Sequence, residues 1–218
     1  MIFTLDDEIL NHVNVSPYLG IHIDNVLKWN AQIQKLCKNL NRNVSLLSRV
    51  RKYFNKDNLE KLYIATIQPC IDYAISIWGF CSESNKTHIR RFQHRAARIV
   101  SNNFDYVNVR GHDLLEQLGW QTLEQRRDYF VSTLMYRCVN EEAPARLIDE
   151  LVMTADTHDR ITRLTNADTI HVPQPNCELF RNSFKYRGAV LWNDLPFELK
   201  QAADSSAFKY LYKRKYFT

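Results

Sequence analysis

The sequence predicts a mainly α-helical fold, a helical bundle preceded by a short antiparallel β unit. From Leu27 to Tyr53, apolar residues recur at steps of three and four, which is the period of a helix with one buried face. The 218 residues include only 5 Gly and 6 Pro, a composition that favours helices over a loop-rich β fold. The predicted buried stripe consists of Trp29, Ile33, Leu36, Leu40, Val44 and Leu47.

The predicted β unit comprises residues 1–24. Asp6 and Asp7 predict a polar turn between two strands, and Gly20 predicts a bulge or a close backbone approach within a third, buried strand. Three short strands form a poor sheet by themselves, so we expect this unit to be the remnant of a larger domain inside which the chain begins. The predicted strands are Ile2–Leu5, Ile9–Val15 and Tyr18–Ile23.

Residues 25–151 are predicted to form the main helical domain. Asp24 or Asn25 is expected to cap its first helix and Asp57 its second, in which Pro69 predicts a kink or a short break. The further boundaries are Ser84 or Asn85 before the third helix, a short helix from Asp113 to Leu118 with Gly119 as its C′ residue, Thr122 before a helix with the stripe Leu123, Phe130, Leu134 and Cys138, and a helix from Ala143 to Leu151 with Pro144 in its first turn.

The remaining residues divide into two parts. Thr, Asp, Asn and Pro dominate residues 152–182, which predicts an irregular connection with one edge strand at Thr169–Val172. Residues 183–218 are predicted to form a C-terminal helical segment. Ser183 is expected to cap one helix there, and Ser205 or Ser206 to start the last.

Composition limits the function classes. Hydrophobic residues make up 45% of the chain, which excludes disorder by composition, and no apolar run is long enough to span a bilayer. No signal peptide is visible, and the five scattered cysteines contain no C-x-x-C pair, which argues against a disulfide framework or a zinc knuckle. We therefore expect a soluble intracellular protein of the cytoplasm or the nucleus, without membrane contact.

No residue pattern predicts catalysis. Asp6 and Asp7 form an adjacent carboxylate pair of the kind that can hold two Mg²⁺ ions in a polymerase, but a turn explains their position and no third carboxylate accompanies them. The seven histidines lack metal-ligand spacing, and no P-loop, G-x-S-x-G or dinucleotide motif occurs. We therefore expect no catalytic residue, no metal site and no cofactor.

Basic residues give the sequence its strongest charged features. The net charge of +5 permits nucleic-acid contact without demonstrating it. No acidic residue lies between Lys86 and Arg98, and steps of four and three predict a cationic stripe that can neutralise phosphates, although a basic run is also common on a solvated helix face. The candidate nucleic-acid-binding residues are Lys86, Arg90, Arg91, Arg95 and Arg98, together with Lys213 and Arg214 near the C-terminus.

The segment from Lys209 to Lys215 interleaves cations with aromatic residues. Tyr210, Tyr212 and Tyr216 accompany its basic side chains. Such a mixture suits single-stranded nucleic acid, and it equally suits a helix that docks through its aromatic face.

Several segments, in order, resemble the region after the palm in reverse transcriptases of jockey-like non-LTR retrotransposons. The first resembles a Tyr-Leu-Gly strand that leads into a helix through Leu-x-Trp-x-x-His-Ile, although Gln32 stands where histidine is usual. Each motif is moderately specific, and the ordered set covers nearly the whole chain. The segments are Tyr18 to Asp24 with Leu27 to Asn30 and Ile33; Leu62-Tyr63, Pro69, Asp72-Tyr73 and Ile77-Trp78-Gly79; Phe92 to Ile99; Arg187 to Ala189; Leu191 to Pro196; and Phe208-Lys209.

The resemblance implies that Tyr18, Leu19 and Gly20 belong to a primer-grip-like strand at the palm–thumb junction, followed by the thumb and the C-terminal region. The catalytic Phe/Tyr-Ala-Asp-Asp strand of such enzymes lies tens of residues before their Tyr-Leu-Gly strand, whereas ten residues separate Asp7 from Tyr18 here. The palm, the fingers and the endonuclease have no counterpart. Mg²⁺ is therefore expected in the intact parent enzyme only.

These observations predict a fragment of an RNA-directed DNA polymerase that does not catalyse synthesis by itself. Its expected partners are an RNA or DNA template–primer and the missing palm domain of the parent polyprotein. Two alternatives stay open, namely a non-enzymatic helical module that binds another protein and the inactive product of a pseudogene.

Overall fold

The structure is a computed structural model that describes residues 4–5, 8–9, 13–154 and 169–217. The predicted turn at Asp6 and Asp7 lies outside the described residues. The fold is mainly helical and is preceded by antiparallel β structure, as predicted. The strands form two separate pairs, β1 (Thr4–Leu5) with β2 (Glu8–Ile9) and β3 (Val15–Tyr18) with β4 (Ile21–Asp24).

The helices follow the second β pair and are numbered here in chain order. They are α1 (Asn30–Val50), α2 (Lys56–Thr66), α3 (Gln68–Asp72), α4 (Ile75–Trp78), α5 (Glu83–Ser101), α6 (Gly111–Gln117), α7 (Leu123–Val139), α8 (Ala145–Ile148), α9 (Glu178–Arg181), α10 (Phe184–Asp194), α11 (Phe197–Lys200) and α12 (Ser205–Tyr216). Met153 and Ile170 form an isolated antiparallel bridge, within the segment predicted to be irregular.

Leu19 and Gly20 form the turn of the β3–β4 hairpin. Tyr18 pairs with Ile21, and the two turn residues have φ angles of 45° and 80°, as in a two-residue type I′ turn. The prediction of one buried strand over Tyr18–Ile23 is therefore wrong, because the chain reverses in its middle. The side chains of Tyr18 and Leu19 are 64% and 73% exposed, whereas Ile21 is buried.

Asp24 organises the connection between β4 and α1. Its buried carboxylate accepts hydrogen bonds from the backbone N–H groups of Val26, Lys28 and Trp29 at 3.3, 2.9 and 2.7 Å. Leu27 and Trp29 both adopt positive φ, a strained conformation for residues with side chains. The prediction that Asp24 or Asn25 occupies the cap position of α1 is wrong, since Trp29 occupies it, but the Asp24 carboxylate still satisfies donors at the helix entry.

The predicted stripe of α1 is confirmed from Ile33 onward, and Trp29 is half-buried. Beside this stripe, the amide oxygen of the buried Gln32 accepts a hydrogen bond from the backbone N–H of His22 at 2.9 Å. Gln32 therefore fastens β4 to the first turn of α1. Helix α1 also packs along α5, which in turn packs on α6.

The predicted break at Pro69 is confirmed, because α2 ends at Thr66 and the short helix α3 begins at Gln68, with the proline in its first turn. Gly119 follows α6 with a φ of 65°, as expected of a C′ residue. Thr122 caps α7 in a capping box with Gln125, at the predicted start of this helix. Ser183 caps α10, as predicted. Other predicted caps shift by one to three residues, to Asn55 for α2, Ser82 for α5 and Asp204 for α12.

The buried side chains form two hydrophobic clusters. The first joins α1 to α6 and includes the fully buried Leu40, Ile67 and Trp78. The second joins α7, α10 and α12 and includes Trp192 and Phe208.

Helix α7 does not bury the predicted stripe. Leu123 and Cys138 are buried, but Phe130 and Leu134 are only half-buried. Their places in the interior are taken by other residues of α7, among them Tyr129, Val131, Met135 and Tyr136, because α4, α10 and α12 pack on the remaining sides of this helix. A helix with neighbours on several sides does not show a single apolar stripe.

We predict that Asp24→Ala lowers the free energy of unfolding by about 2–4 kcal/mol, because three backbone donors lose a charged acceptor and two residues stay strained. Urea denaturation followed by circular dichroism measures the change. Asp57→Ala, which removes an exposed carboxylate from the first turn of α2, is the control and is expected to cost less than about 1 kcal/mol. Equal effects of the two substitutions would contradict the proposed role of Asp24.

Candidate nucleic-acid interface

The cations of α5 do not form the single stripe that the sequence predicts. Arg90 forms ion pairs with Glu83 and with Glu124 of α7, and the Lys86 ammonium lies 3.6 Å from the Glu83 carboxylate. The absence of acidic residues between Lys86 and Arg98 was therefore misleading. Glu83 precedes this segment, and Glu124 comes from a helix later in the chain. The Arg90–Glu124 ion pair joins α5 to α7.

Arg98 lies inside the protein and is only 6% exposed. Its guanidinium donates to the backbone carbonyls of Asp105 and Val109 at 2.9 and 2.6 Å and stacks on the ring of Tyr106, 4.3 Å from the centroid. It therefore holds the connection between α5 and α6. The expectation that Arg98 shares an exposed face with Arg91 and Arg95 is wrong.

Arg91 and Arg95 are exposed on α5, one helical turn apart. They remain the two residues of the predicted stripe that face solvent. Neither lines the cleft that α2, α7 and α12 border.

Helices α2, α7 and α12 border an open cleft of about 1020 Å³, here called the C-terminal cleft. Among the described residues that line it, five are basic and one, Glu60, is acidic. The lining therefore carries an excess of positive charge, and aromatic rings lie between the cations. The basic residues are Arg126, Arg137, Lys209, Lys213 and Arg214, and the aromatic ones are Trp120, Tyr129, Phe130, Tyr210 and Phe217.

Helix α12 presents its cations to the cleft because its other face is anchored in the core. Phe208 and Tyr212 are buried, and the Phe208 ring stacks on Tyr136 of α7 with centroids 4.7 Å apart. The Asp204 carboxylate caps the helix through the N–H groups of Ser206 and Ala207 at 2.8 and 2.7 Å. The residues that point outward into the cleft are Lys209, Tyr210, Lys213, Arg214 and Phe217.

Several cations of the cleft also make contacts within the protein. Arg126 forms a two-pronged ion pair with Asp72 of α3, both N···O distances being 2.5 Å, and burial raises the pKa of the Asp72 carboxyl although the guanidinium opposes this shift. Arg137 donates to the carbonyl of Glu142 at 2.9 Å. The ammonium of Lys213 lies 5.5 Å from the ring centroid of Tyr129.

Sequence reasoning identified Lys213 and Arg214 as candidates but missed Arg126 and Arg137. A spacing of eleven residues places these two arginines on one face of α7, with Phe130 and Leu134 between them. The spacing of Arg126 and Arg137 could therefore have been recognised in the sequence. The position of α12 beside this face of α7 could not.

The three residues predicted to be primer-grip-like lie at the tip of the β3–β4 hairpin. The tip is fixed through its backbone, because the Tyr73 hydroxyl donates to the carbonyl of Leu19 and the Lys35 ammonium donates to that of Gly20 at 3.0 Å. The side chains of Tyr18 and Leu19 remain available to solvent.

Within the described residues, no group of three or more His, Cys, Asp or Glu side chains is arranged to hold a metal ion. In the same part of the chain, no helix has the length and apolar character required to cross a bilayer. The five cysteines are free thiols, and burial raises the pKa of Cys81 to about 11.

Comparison with known proteins finds distant similarity to retrotransposon polymerases over part of the chain. A stretch of 110 residues, 49% of the chain, is 26% identical to the RNA-directed DNA polymerase from mobile element jockey of Drosophila funebris. A stretch of 165 residues, 73% of the chain, is 24% identical to the polymerase of the same name from Drosophila melanogaster. The matches cover 12% and 18% of those proteins, so the chain spans less than a fifth of these relatives. No family model and no solved structure matches the chain.

We predict that Arg98→Ala destabilises the fold by about 2–4 kcal/mol, because two backbone carbonyls lose a charged donor and the packing of a buried side chain is lost. Arg91→Ala and Arg95→Ala, on the exposed face of the same helix, are expected to change stability by less than about 0.5 kcal/mol. Urea denaturation of the three variants compares them directly. Three equal and small effects would show that Arg98 does not hold the α5–α6 connection.

Proposed function

We propose that these 218 residues correspond to the thumb and C-terminal region of a reverse transcriptase related to the jockey polymerases. The distant similarity to two such polymerases supports this origin. On this proposal, Tyr18, Leu19 and Gly20 lie at the palm–thumb junction, and their exposure at the hairpin tip suits a contact with a palm domain.

Nucleic-acid binding is the activity proposed for this region, and the observation that carries it is the C-terminal cleft. Among the described residues that line it, five are basic and one, Glu60, is acidic, and of the five cations Arg126 is already paired with Asp72. Cations held close together release counterions from a phosphate backbone, which supplies most of the sequence-independent affinity for nucleic acids. Exposed Arg91 and Arg95 on α5 provide further basic surface outside the cleft.

We further propose that the chain does not extend a primer. Asp6 and Asp7, the adjacent carboxylates near a strand, precede the Tyr18 hairpin by far fewer residues than the catalytic pair of the jockey-like enzymes that the sequence resembles. Two-metal phosphoryl transfer requires carboxylates that hold both ions at the primer hydroxyl.

A second candidate function is binding of another protein, and the β3–β4 hairpin favours it. Tyr18, Leu19 and Tyr73 are exposed and lie together, since the Tyr73 hydroxyl bonds to the Leu19 carbonyl. Exposed apolar side chains that cluster in this way are typical of an interaction surface. The hairpin and the C-terminal cleft share no residue, so separate variants distinguish the two functions.

We expect the chain to bind labelled RNA and DNA oligonucleotides, with an affinity that falls as salt concentration rises. The triple variant Lys209→Ala, Lys213→Ala, Arg214→Ala should reduce the slope of log Kd against log salt by about 2, because about 0.7 counterions are released for each phosphate contact on a single strand. The slope is measured by fluorescence anisotropy at KCl concentrations between about 50 and 200 mM.

The matched control is the triple variant Lys38→Ala, Arg42→Ala, Arg146→Ala, which removes the same charge from exposed positions outside the cleft. It should leave most of the salt dependence intact. If both variants lose affinity equally, net charge rather than the cleft accounts for binding. If the unchanged chain binds no oligonucleotide, the proposed function is wrong.

The purified chain with Mg²⁺, a primed RNA template and deoxynucleotides is expected to incorporate no nucleotide. Primer extension on a sequencing gel measures this, with a complete reverse transcriptase as the positive control. Extension that disappears in the Asp6→Asn or Asp7→Asn variant would refute the absence of catalysis.

A further inference from the structure

The C-terminal cleft presents one aromatic ring in a different way from the others. Tyr210 is 65% exposed, whereas Trp120 and Tyr129 are buried. Trp120 already stacks on Tyr63 with ring centroids 3.6 Å apart, and its indole N–H donates to Glu60 at 2.9 Å. Stacking therefore occupies one face of the Trp120 ring, and the rings of Tyr129, Phe130 and Phe217 pack against one another, while the ring of Tyr210 is largely open to solvent.

The neighbours of Tyr210 are cations. Lys209 adjoins it in sequence, and Lys213 and Arg214 follow at the i+3 and i+4 positions of α12, so they share its side of the helix and line the same cleft. A flat ring flanked by positive charges is the arrangement with which proteins bind single strands, since the ring stacks on a base and the cations contact the flanking phosphates.

Paired nucleotides do not fit this arrangement. In a duplex the faces of the bases are covered by their neighbours, so a protein ring reaches them only where the strand is unpaired. The cleft volume of about 1020 Å³ lies at the upper end of the range that holds one small ligand, roughly 300–1000 Å³, and so accommodates a few nucleotides.

We propose that the C-terminal cleft binds an unpaired stretch of nucleic acid and that Tyr210 stacks on one of its bases. This inference rests on the proposed nucleic-acid binding and specifies its substrate class. Binding should tolerate different base sequences, because every base has a face for stacking.

The test compares a labelled single-stranded oligonucleotide with a hairpin duplex of equal phosphate number, each as RNA and as DNA, by fluorescence anisotropy at the same series of salt concentrations. The unchanged chain should prefer the single strand. Tyr210→Ala should weaken single-strand binding by about 5- to 150-fold, the loss expected for one stacked base, and should leave the salt dependence unchanged, because no charge is removed. Tyr210→Phe should retain the affinity, and Tyr210→Leu, which keeps apolar bulk without a flat ring, should behave like the alanine variant.

Tyr53→Ala is the matched control, because Tyr53 is 73% exposed and lies outside the cleft. It should not alter binding. Thermal unfolding of all four variants confirms that the fold is intact, as expected for exposed side chains. Preference for the hairpin duplex, or equal affinity of the Tyr210→Ala and unchanged chains, would overturn the inference while leaving nucleic-acid binding in place. Absence of binding to every oligonucleotide would instead overturn the proposed function on which the inference rests.

Discussion

Packing of helix α7 between two hydrophobic clusters is the constraint on which the arrangement of the molecule depends. Its first residue, Leu123, belongs to the cluster formed with α1, α2 and α5, and its later turns belong to the cluster formed with α10 and α12. A helix held on both sides leaves one strip of its surface uncovered. That strip carries Phe130 and Arg137, next to the largely covered Arg126, and it becomes the floor of the C-terminal cleft. The position of the cleft thus follows from core packing.

The basic residues divide according to what their side chains contact. Arg90, Arg98 and Arg126 bind carboxylates or carbonyls within the chain, as the planar, many-donor guanidinium is suited to do. Lys209 and Lys213 project from the outer face of α12, whose inner face is aromatic and buried. A positive net charge or a basic run therefore overstates the charge available to a ligand. Basic side chains that are paired within the protein must be left out when a phosphate-binding surface is identified.

The sequence was most informative where a local rule decides the structure. The interior stripe of α1, the break at Pro69 and the left-handed Gly119 each follow from neighbouring residues alone. It was least informative at the hairpin turn, because leucine seldom adopts positive φ and Leu19 does so here. The sequence predicted no cleft, and of the residues that line it only Lys213 and Arg214, both in its α12 half, were candidate nucleic-acid-binding residues. Its other half depends on which face of α7 the distant C-terminal helix leaves uncovered, and no local pattern encodes that choice.

Helix α12 contributes to both the core and the cleft. Phe208 and Tyr212 belong to the second hydrophobic cluster, and the opposite face of the helix lines the C-terminal cleft. A premature stop codon ahead of Ser205 would therefore do more than delete a few cations. It would uncover the aromatic flank of α7, including Tyr136, and the shortened polypeptide would be a substrate for chaperones and proteases. Loss of α12 would accordingly lower the abundance of the protein in the cell.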